Sequence, residues 1–547
     1  MTAPARTAAR PHARQEETSV GYAHEYATAI MHRGRIPMEP ADFVPDWADR
    51  PRKAKYYPGA ESFPLPDTPY PAHATVAAGC LPDGPPPTAQ PFTLPLLSGM
   101  LQDSYGLVGR RLGVQANTDL AALPHYTQAN WSRGTASGGG LYPVSVYWVS
   151  GPSGPLTPAV HYYCPPRHCM QRLLAGDVSG EVRAALGAYG PATDQYLVLG
   201  VKYWQNAFKY NSFSFHAVSM DVGALLQTWH IWARARGLRL APALWFDEAR
   251  LARLLGLDGD EEGLFAVVPL LWDTQRAAST TSAAEGAAVR RREVERSRTV
   301  LAFDTLHRIH RATAGHTGDR PAPGALGPCA PAARTGAAAP VTLPPAAFPE
   351  VDVRTALRSR RSSFGRFDAT VPVTARQLAA TLAACARTRI GSDAEPEGTP
   401  ALARLYAFVN HVEGVEPGAY AYEAGTHTLR LVTPGAPGSF LQDNYFLSNY
   451  NLEQSGAVIV PAVRTTAVLD AVGDRGYRLV NATVGAIAQT FYTAAAALGL
   501  GAGVALGFDN ISYTERLGLE DTGEAPLLIM LLGNERPHPA DFHCDLV

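Results

Sequence analysis

A degenerate internal repeat constrains this chain's architecture more than any single motif. Gly223, Gln227, Gly237-Leu238, Phe246-Asp247 and Gly256-Leu257-Asp258 recur as Gly485, Gln489, Gly499-Leu500, Phe508-Asp509 and Gly518-Leu519-Glu520, each pair 262 positions apart. Upstream, Pro158, Tyr163 and His168 are echoed by Pro417, Tyr422 and His427 at the same internal spacing. Solenoid units recur every few tens of residues, so a period this long describes two copies of a whole domain fused in tandem.

A length of 547 residues is enough for two domains with full cores. The balance of 47 basic against 49 acidic residues gives no reason to expect a nucleic-acid partner. No run of about 20 apolar residues is present, so no membrane span is expected. The opening MTAPARTAARPHARQEE is basic but lacks the apolar centre of a secretory signal, and reads as a mobile tail on a cytoplasmic protein. Six scattered cysteines without a CxxC imply reduced thiols. Cys164-Pro-Pro-Arg-His168-Cys169 has the composition of a metal site, but its second-copy counterpart keeps only the histidine and no second ligand pair follows. The structural reading is preferred, with no metal expected.

Residues 1–70 read as an extended N-terminal arm and 71–272 as the first domain. Strands are expected at 144–150, 195–204 and 264–272, with a helix over Ala217–Arg236 that stops at Gly237. Residues 273–345 form the connection. It contains a linker-like stretch, an amphipathic helix expected over 289–312, and a Pro/Gly/Ala tether at 313–340 with little capacity to form a core. The second domain, 346–547, opens with the helix VDVRTALRSRRSS, has its longest helix at Leu479–Leu498 and closes with the strand APLLIMLLG.

Three segments carry chemistry. Arg358, Arg360 and Arg361 with Ser362 and Ser363 form a cluster able to hold a phosphate dianion through charge-assisted hydrogen bonds, although such clusters are also common on solvated surfaces. The first domain's opening, TVAAGCLPDGPPPTAQPFTLPLL, has no equivalent. Arg133-Gly-Thr-Ala-Ser137-Gly138-Gly139-Gly140-Leu-Tyr-Pro places three glycines before a strand, where backbone N–H groups can approach a flat or anionic ligand; the alternative is a flexible turn. The second copy's GSDAEPEGTPALARLY (391–406) retains Leu405-Tyr406 but not the Ser-Gly-Gly-Gly. Phe208-Lys209-Tyr210 precedes the first domain's long helix. A lysine sheltered among aromatics loses hydration and can serve as a general base near neutrality, with Tyr210 relaying a proton beside it. The competing reading is a lysine snorkelling over a packed aromatic surface. Lys202-Tyr203 is a nearby decoy, and the repeat places Ala471-Val472 opposite Lys209-Tyr210.

At these residues the chain resembles the flavin-dependent azoline dehydrogenases of the nitroreductase superfamily, the SagB/McbC-like oxidases. RGTASGGGLYP (133–143) is similar to that family's Arg-x-Pro-Ser-x-Gly-x-Leu-Tyr-Pro loop, with Ala136 in place of proline. FKYNSFSFHAVSMDVG (208–223) is similar to its Lys-Tyr-Gly-x-Arg-x-Tyr-Arg segment, with Asn211, Phe213 and His216 at the Gly and two Arg positions. RSRRSSFGRFD (358–368) resembles the superfamily's phosphate motif, and GDRGYRLVNATVG (473–485) keeps the arginines that the first copy lacks. GLGAGVALGFD (499–509) resembles the glycine-rich turn that approaches the flavin ring.

The resemblance implies an α+β fold, with two tandem nitroreductase-like domains forming an intramolecular pseudo-dimer and FMN held at their interface. The second copy keeps the clamp (Arg358, Arg360, Arg361, Ser362) and the flavin-facing turn (Gly499, Gly501, Gly503). The first keeps the partner loop (Arg133, Ser137, Gly138, Gly139) and the Lys209-Tyr210 pair. These sets are complementary, so one composite FMN site per chain is expected. The activity implied is oxidation of thiazolines, or oxazolines, to azoles in a ribosomally made peptide. Lys209 would act as base, Tyr210 as its neighbour in proton transfer, flavin N5 as hydride acceptor and oxygen as final oxidant. The implied partners are the azoline-containing precursor peptide and its cyclodehydratase, and further homo-oligomerisation stays open. An NAD(P)H-dependent nitro or quinone reductase and a non-catalytic scaffold are the alternative readings.

Overall fold

The computed structural model describes residues 21–81, 90–114, 126–273, 286–315, 320–334, 339–537 and 543–546. The expected N-terminal tail and most of the 273–286 linker stretch lie outside these residues. Two antiparallel sheets have the same strand order. The first runs Ser62–Pro64, Cys169–Ala175, Ala159–Cys164, Val144–Ser150, Gln195–Lys202, Glu262–Pro269. The second runs Val341–Thr342, Thr428–Pro434, Gly418–Glu423, Ala403–Val409, Ala457–Val463, Ile529–Gly533, and adds Gly501–Ala505 at its far edge. The corresponding first-copy stretch, Arg239–Ala243, makes only an isolated bridge from Ala243 to Val267. Pro242 within it has no N–H to give to a ladder.

Between the sheets, the long helices Ser214–Arg234 and Gly476–Ala497 pack against each other. Their crossing is symmetric. A Cβ on Gly223 would lie 1.9 Å from Ala482 O, and one on Gly485 would lie 1.9 Å from Met220 O. Both glycines and both facing residues are 262 apart, as a two-fold self-complementary contact requires. The repeated glycines that follow the helices have local causes. Gly237 and Gly499 cap the two long helices at φ 71°, and Gly256 and Gly518 sit at 64° and 58° after the next helix. These left-handed positions favour glycine. Asn211 and Gly473, also 262 apart, have φ of 41° and 73° before the long helices.

The histidine echo is a hairpin device. His168 and His427 have φ of 45° and 54°, and their Nδ1 atoms lie 2.9 and 2.7 Å from the hydroxyls of Tyr163 and Tyr422. Another repeated pair, which carries no motif of its own, joins buried tyrosines to buried carboxylates. Tyr147 donates to Glu262 at 2.9 Å and Tyr406 donates to Glu524 at 2.5 Å. Tyr147 faces Val198 across its sheet as Tyr406 faces Val460. Leu405-Tyr406 therefore matches Val146-Tyr147, not the Leu-Tyr of the glycine loop.

Three expectations for the connecting segments need correction. The arm carries a helix, Tyr22–His32, with Ala23, Tyr26 and Ile30 buried. The helix expected over 289–312 forms only over Asp304–Ala314. The preceding stretch is not helical because the arm and the first sheet satisfy it instead: Val294 N bonds Tyr56 O, Arg298 N and Thr299 N bond Asp49, and Glu293 and Glu295 pair with Lys202 at the end of its strand. Within the tether, Leu326 and Cys329 are buried and Arg320 pairs with Asp393 at 3.0 Å, so this stretch is docked. No helix among the described residues is long and apolar enough to cross a membrane.

Candidate functional site

The clamp begins where the helix Val353–Ser359, N-capped by Asp352, runs out. Its backbone pairs across the two domains, with Val76 N bonding Val351 O and Val353 N bonding Ala74 O. From this point Arg360 reaches into the first domain. Its Nε and Nη2 donate to Gly134 O and Arg133 O, both at 2.9 Å, and its guanidinium lies 5.1 Å from the Tyr492 ring centroid. Arg361 donates to Glu535 at 2.6 Å. Ser363 closes the turn onto the edge strand: Ser363 N bonds Ala502 O, and Ala502 N donates to Ser363 Oγ at 2.8 Å.

A cavity of about 170 Å³ lies among these groups, lined by Ser359, Arg360, Arg361, Ser363, Tyr492, Gly499, Gly501 and Glu535, among others. Two guanidiniums, three hydroxyl side chains (Ser359, Ser363 and Tyr492) and the small residues Gly501 and Ala502 of the strand edge suit an anionic oxygen cluster such as a phosphate. Glu535 is the one discordant charge. Two predicted clamp residues stand apart. Arg358 Nη2 is 4.0 Å from the buried Asp103 carboxylate, and Ser362 shares a 2.8 Å hydrogen bond with the Tyr492 hydroxyl. Neither lines the cavity. Gly499 lines it but owes its glycine to the helix cap. Gly501 and Gly503 admit close neighbours: a Cβ would meet Glu535 and Ser363 Oγ at Gly501, and the Tyr450 ring at Gly503.

The partner loop is suspended between the two long helices. Ala136 N donates to Gln489 Oε1 at 2.8 Å, and Gln489 Nε2 donates to Gly134 O at 3.3 Å. Ser137 Oγ and Gly138 N donate to the Asp221 carboxylate at 2.6 and 2.8 Å. Burial lifts the Asp221 carboxyl to about 7, against these two hydrogen bonds that favour its ionised form. Gly139, at φ 62°, lies on the Lys209-Tyr210 pair. A Cβ there would stand 2.6 Å from Tyr210 Oη and 2.9 Å from Lys209 Nζ, so only glycine lets the loop approach. Among the described residues, and apart from its own chain neighbours, nothing lies within 4 Å of the Cβ position of Gly140. Arg133 lies between Tyr105 and Tyr142, 4.6 and 4.2 Å from their centroids. Its buried Nη1 has no hydrogen-bond partner among the described residues. A ligand acceptor would satisfy it.

The structure thus joins the clamp, the partner loop and Lys209-Tyr210 through one chain of contacts. Lys202, the decoy, is instead ion-paired with Glu293 and Glu295. Asp221, Gln489, Tyr492 and Glu535 were not identified by sequence reasoning as site residues, although Gln489 belongs to the repeat and Asp221 to the quoted helix segment. On the mirror side, Asp393 accepts from the amides of Leu244 and Trp245, and Gln227 Oε1 is buried with no hydrogen-bond partner among the described residues. The stretch corresponding to the clamp runs into residues 82–89, outside those described.

Residues 357–534 match the family model described as the Nitroreductase family. Over 139 residues the chain is 33% identical to a protein of Methanocaldococcus jannaschii named as a candidate nitroreductase. That match takes in 24% of this chain and 64% of the relative, just under two thirds of its length. A crystal structure of a candidate nitroreductase from Anabaena variabilis superposes with a TM-score of 0.68 at 22% identity, covering 94% of this chain and 100% of the other. Another, from Ralstonia eutropha, gives a TM-score of 0.30 at 22% identity over 38% of this chain and 95% of that one. The Anabaena superposition runs through both domains, and the fold is nitroreductase-like.

Proposed function

We propose that this chain is an FMN-dependent oxidoreductase with one composite site, and that its reaction is the oxidation of thiazolines, or oxazolines, to azoles in a ribosomally made peptide. The observation that carries the reading is the double attachment of the partner loop. Arg360 of the second domain holds its start at Arg133 and Gly134, while Gly139 lies against Lys209 and Tyr210 of the first. The match of residues 357–534 to the nitroreductase family and the sequence resemblance around 133–143 and 208–223 support it.

Arg360, Arg361 and Ser363 would hold the phosphate, and Arg133 Nη1 and the 137–140 loop would meet the rest of the FMN. FMN, when bound, supplies the hydride acceptor. Lys209 Nζ removes the proton from the ring carbon adjacent to the one that loses hydride, and Tyr210 Oη beside it orients the ring. The rings of Trp47 and Tyr210 lie 5.8 and 4.6 Å from Lys209 Nζ. The precursor peptide and its ring-forming cyclodehydratase are the partners this reaction requires.

The test is a visible spectrum of the purified chain, an FMN titration, and incubation with a thiazoline-containing peptide in air. The expected result is a yellow protein, about one FMN per chain, and a mass loss of two hydrogens per ring. A colourless chain that takes up no FMN would support the scaffold reading. Flavin bleached by NAD(P)H without azole formation would support the reductase.

A further inference from the structure

Repeat symmetry exposes a substitution of one residue by another from elsewhere in the chain. In the second copy, Arg475 donates through Nε to Leu244 O at 2.6 Å and through Nη1 to Glu248 Oε2 at 3.0 Å. Its first-copy counterpart, 262 positions earlier, is Phe213. The mirror positions of Leu244 and Glu248 are Leu506 and Asn510, which follow the edge strand Gly501–Ala505 beside the candidate site. Phe213 cannot donate to them. Arg33, from the N-terminal arm, does so in its place: Nη1 donates to Asn510 Oδ1 at 2.6 Å, and Nη2 to Leu506 O. Its guanidinium lies 5.0 Å from the centroid of the Phe213 ring, over the side chain that stands where the counterpart of Arg475 would be.

The arm is fastened for this purpose at several points along the same helical entry. Tyr26 Oη donates to Ser212 O at 2.7 Å, Ser212 Oγ to Glu39 O at 2.6 Å, and Gln205 Nε2 to Arg52 O at 2.7 Å. The Trp47 ring then meets the Phe208 ring edge-on at 5.2 Å, next to Lys209.

We infer that the N-terminal arm is a third contributor to the composite site, and that Arg33 is a positioning residue that replaces in space the guanidinium lost at Phe213. It fixes the Leu506 carbonyl and Asn510, and through them the course of the glycine-rich edge strand on which the FMN reading depends. A planar fork meets a carbonyl and an amide oxygen at once through two nitrogens held in fixed geometry, a spacing that the single nitrogen of an ammonium does not reproduce. The inference rests on the composite-site reading, but the way Arg33 fixes the turn can be tested without any flavin.

The test compares wild type with Arg33→Ala, Arg33→Lys and the double variant Arg33→Ala/Phe213→Arg, using FMN affinity and amide hydrogen exchange over 501–510 in the flavin-free chain. Arg33→Lys guards against misfolding of the alanine variant, and thermal melts report whether each variant folds. Both single variants are expected to weaken FMN binding roughly tenfold or more and to speed exchange over 501–510. The double variant, with its guanidinium on the opposite chain segment, is expected to restore both. Wild-type affinity and exchange in Arg33→Lys and Arg33→Ala, or a double variant no better than Arg33→Ala, would overturn the inference. If the wild-type chain binds no FMN, the site reading fails, while the exchange data still decide the role of Arg33.

Discussion

Arg360, from the second domain, donates 2.9 Å hydrogen bonds to the carbonyls of Gly134 and Arg133 in the first, fixing the loop whose next residues touch Lys209 and Tyr210. One guanidinium therefore couples the cavity beside the glycine-rich strand to the candidate proton-transfer pair. Neither domain contains both.

Separated halves should therefore bind FMN poorly. Residues 1–316 and 317–547 expressed alone, a cut that keeps the helix Asp304–Ala314 in one piece and the docked stretch from Arg320 in the other, are expected to lose flavin on purification, and co-expression is expected to restore about one FMN per chain pair. The connection between them raises effective concentration. Two flavins per intact chain, or full binding by the second half alone, would contradict the composite site.

Arg361→Ala should lower flavin retention. It removes a charge-assisted contact of about 1.5–3 kcal/mol and leaves Glu535, its 2.6 Å partner, facing the same cavity. FMN binding roughly 10- to 100-fold weaker is expected by fluorescence titration. Arg361→Ala/Glu535→Gln should recover part of the loss, since the opposing carboxylate charge is then gone. Unchanged retention in Arg361→Ala would remove this residue from the clamp.

Lys209→Ala should keep the flavin spectrum while azole formation falls by ~10²–10⁴-fold, the usual cost of losing a general base. Lys202→Ala breaks the ion pairs with Glu293 and Glu295 and should lower the melting temperature with little effect on turnover. The reverse pattern would mean that the wrong Lys-Tyr pair has been chosen.

Asp221 gives a pH signature with a definite sign. Burial raises its carboxyl from 3.8 to about 7, so across that window the folded chain holds a proton that the unfolded chain has released. Stability contributed at this position falls as pH rises from about 4 to about 7 and is flat above it. Relative to Asp221→Asn, wild-type melting temperature should decline through that range. Parallel curves for the two proteins would mean that Asp221 titrates normally.

What could be read from the sequence follows from the range of each interaction. The paired Gly237/Gly499 and Gly256/Gly518 signal repetition because a left-handed helix cap is a local demand that only a few residue types meet. The long helices and main strands followed from periodicity for the same reason. The 289–303 stretch misled because its groups are satisfied by ion pairs with Lys202 and by backbone bonds to the arm, the latter more than 200 residues away. Asp221 under the glycine loop and Glu535 opposite Arg361 serve partners distant in sequence and carry no local signature. Arg33 was still less visible: nothing near position 33 marks it as the stand-in for a residue missing at 213.

The close helix crossing at Gly223 and Gly485 has one further consequence. In a homodimer each substitution is made twice, so any change near the axis must be tolerable in two places at once. Covalent joining gives each position its own address. Phe213 can then be aromatic while Arg475 stays cationic, and the loop preceding one central strand can carry Asp393 and Glu395 while its counterpart in the other copy carries Gly138, Gly139 and Gly140. At the glycines themselves that freedom is not available. Each faces the other's helix at 1.9 Å from a prospective Cβ, so a side chain on either would push the same two helices apart. Divergence between the halves is thus free at the periphery and locked at the axis.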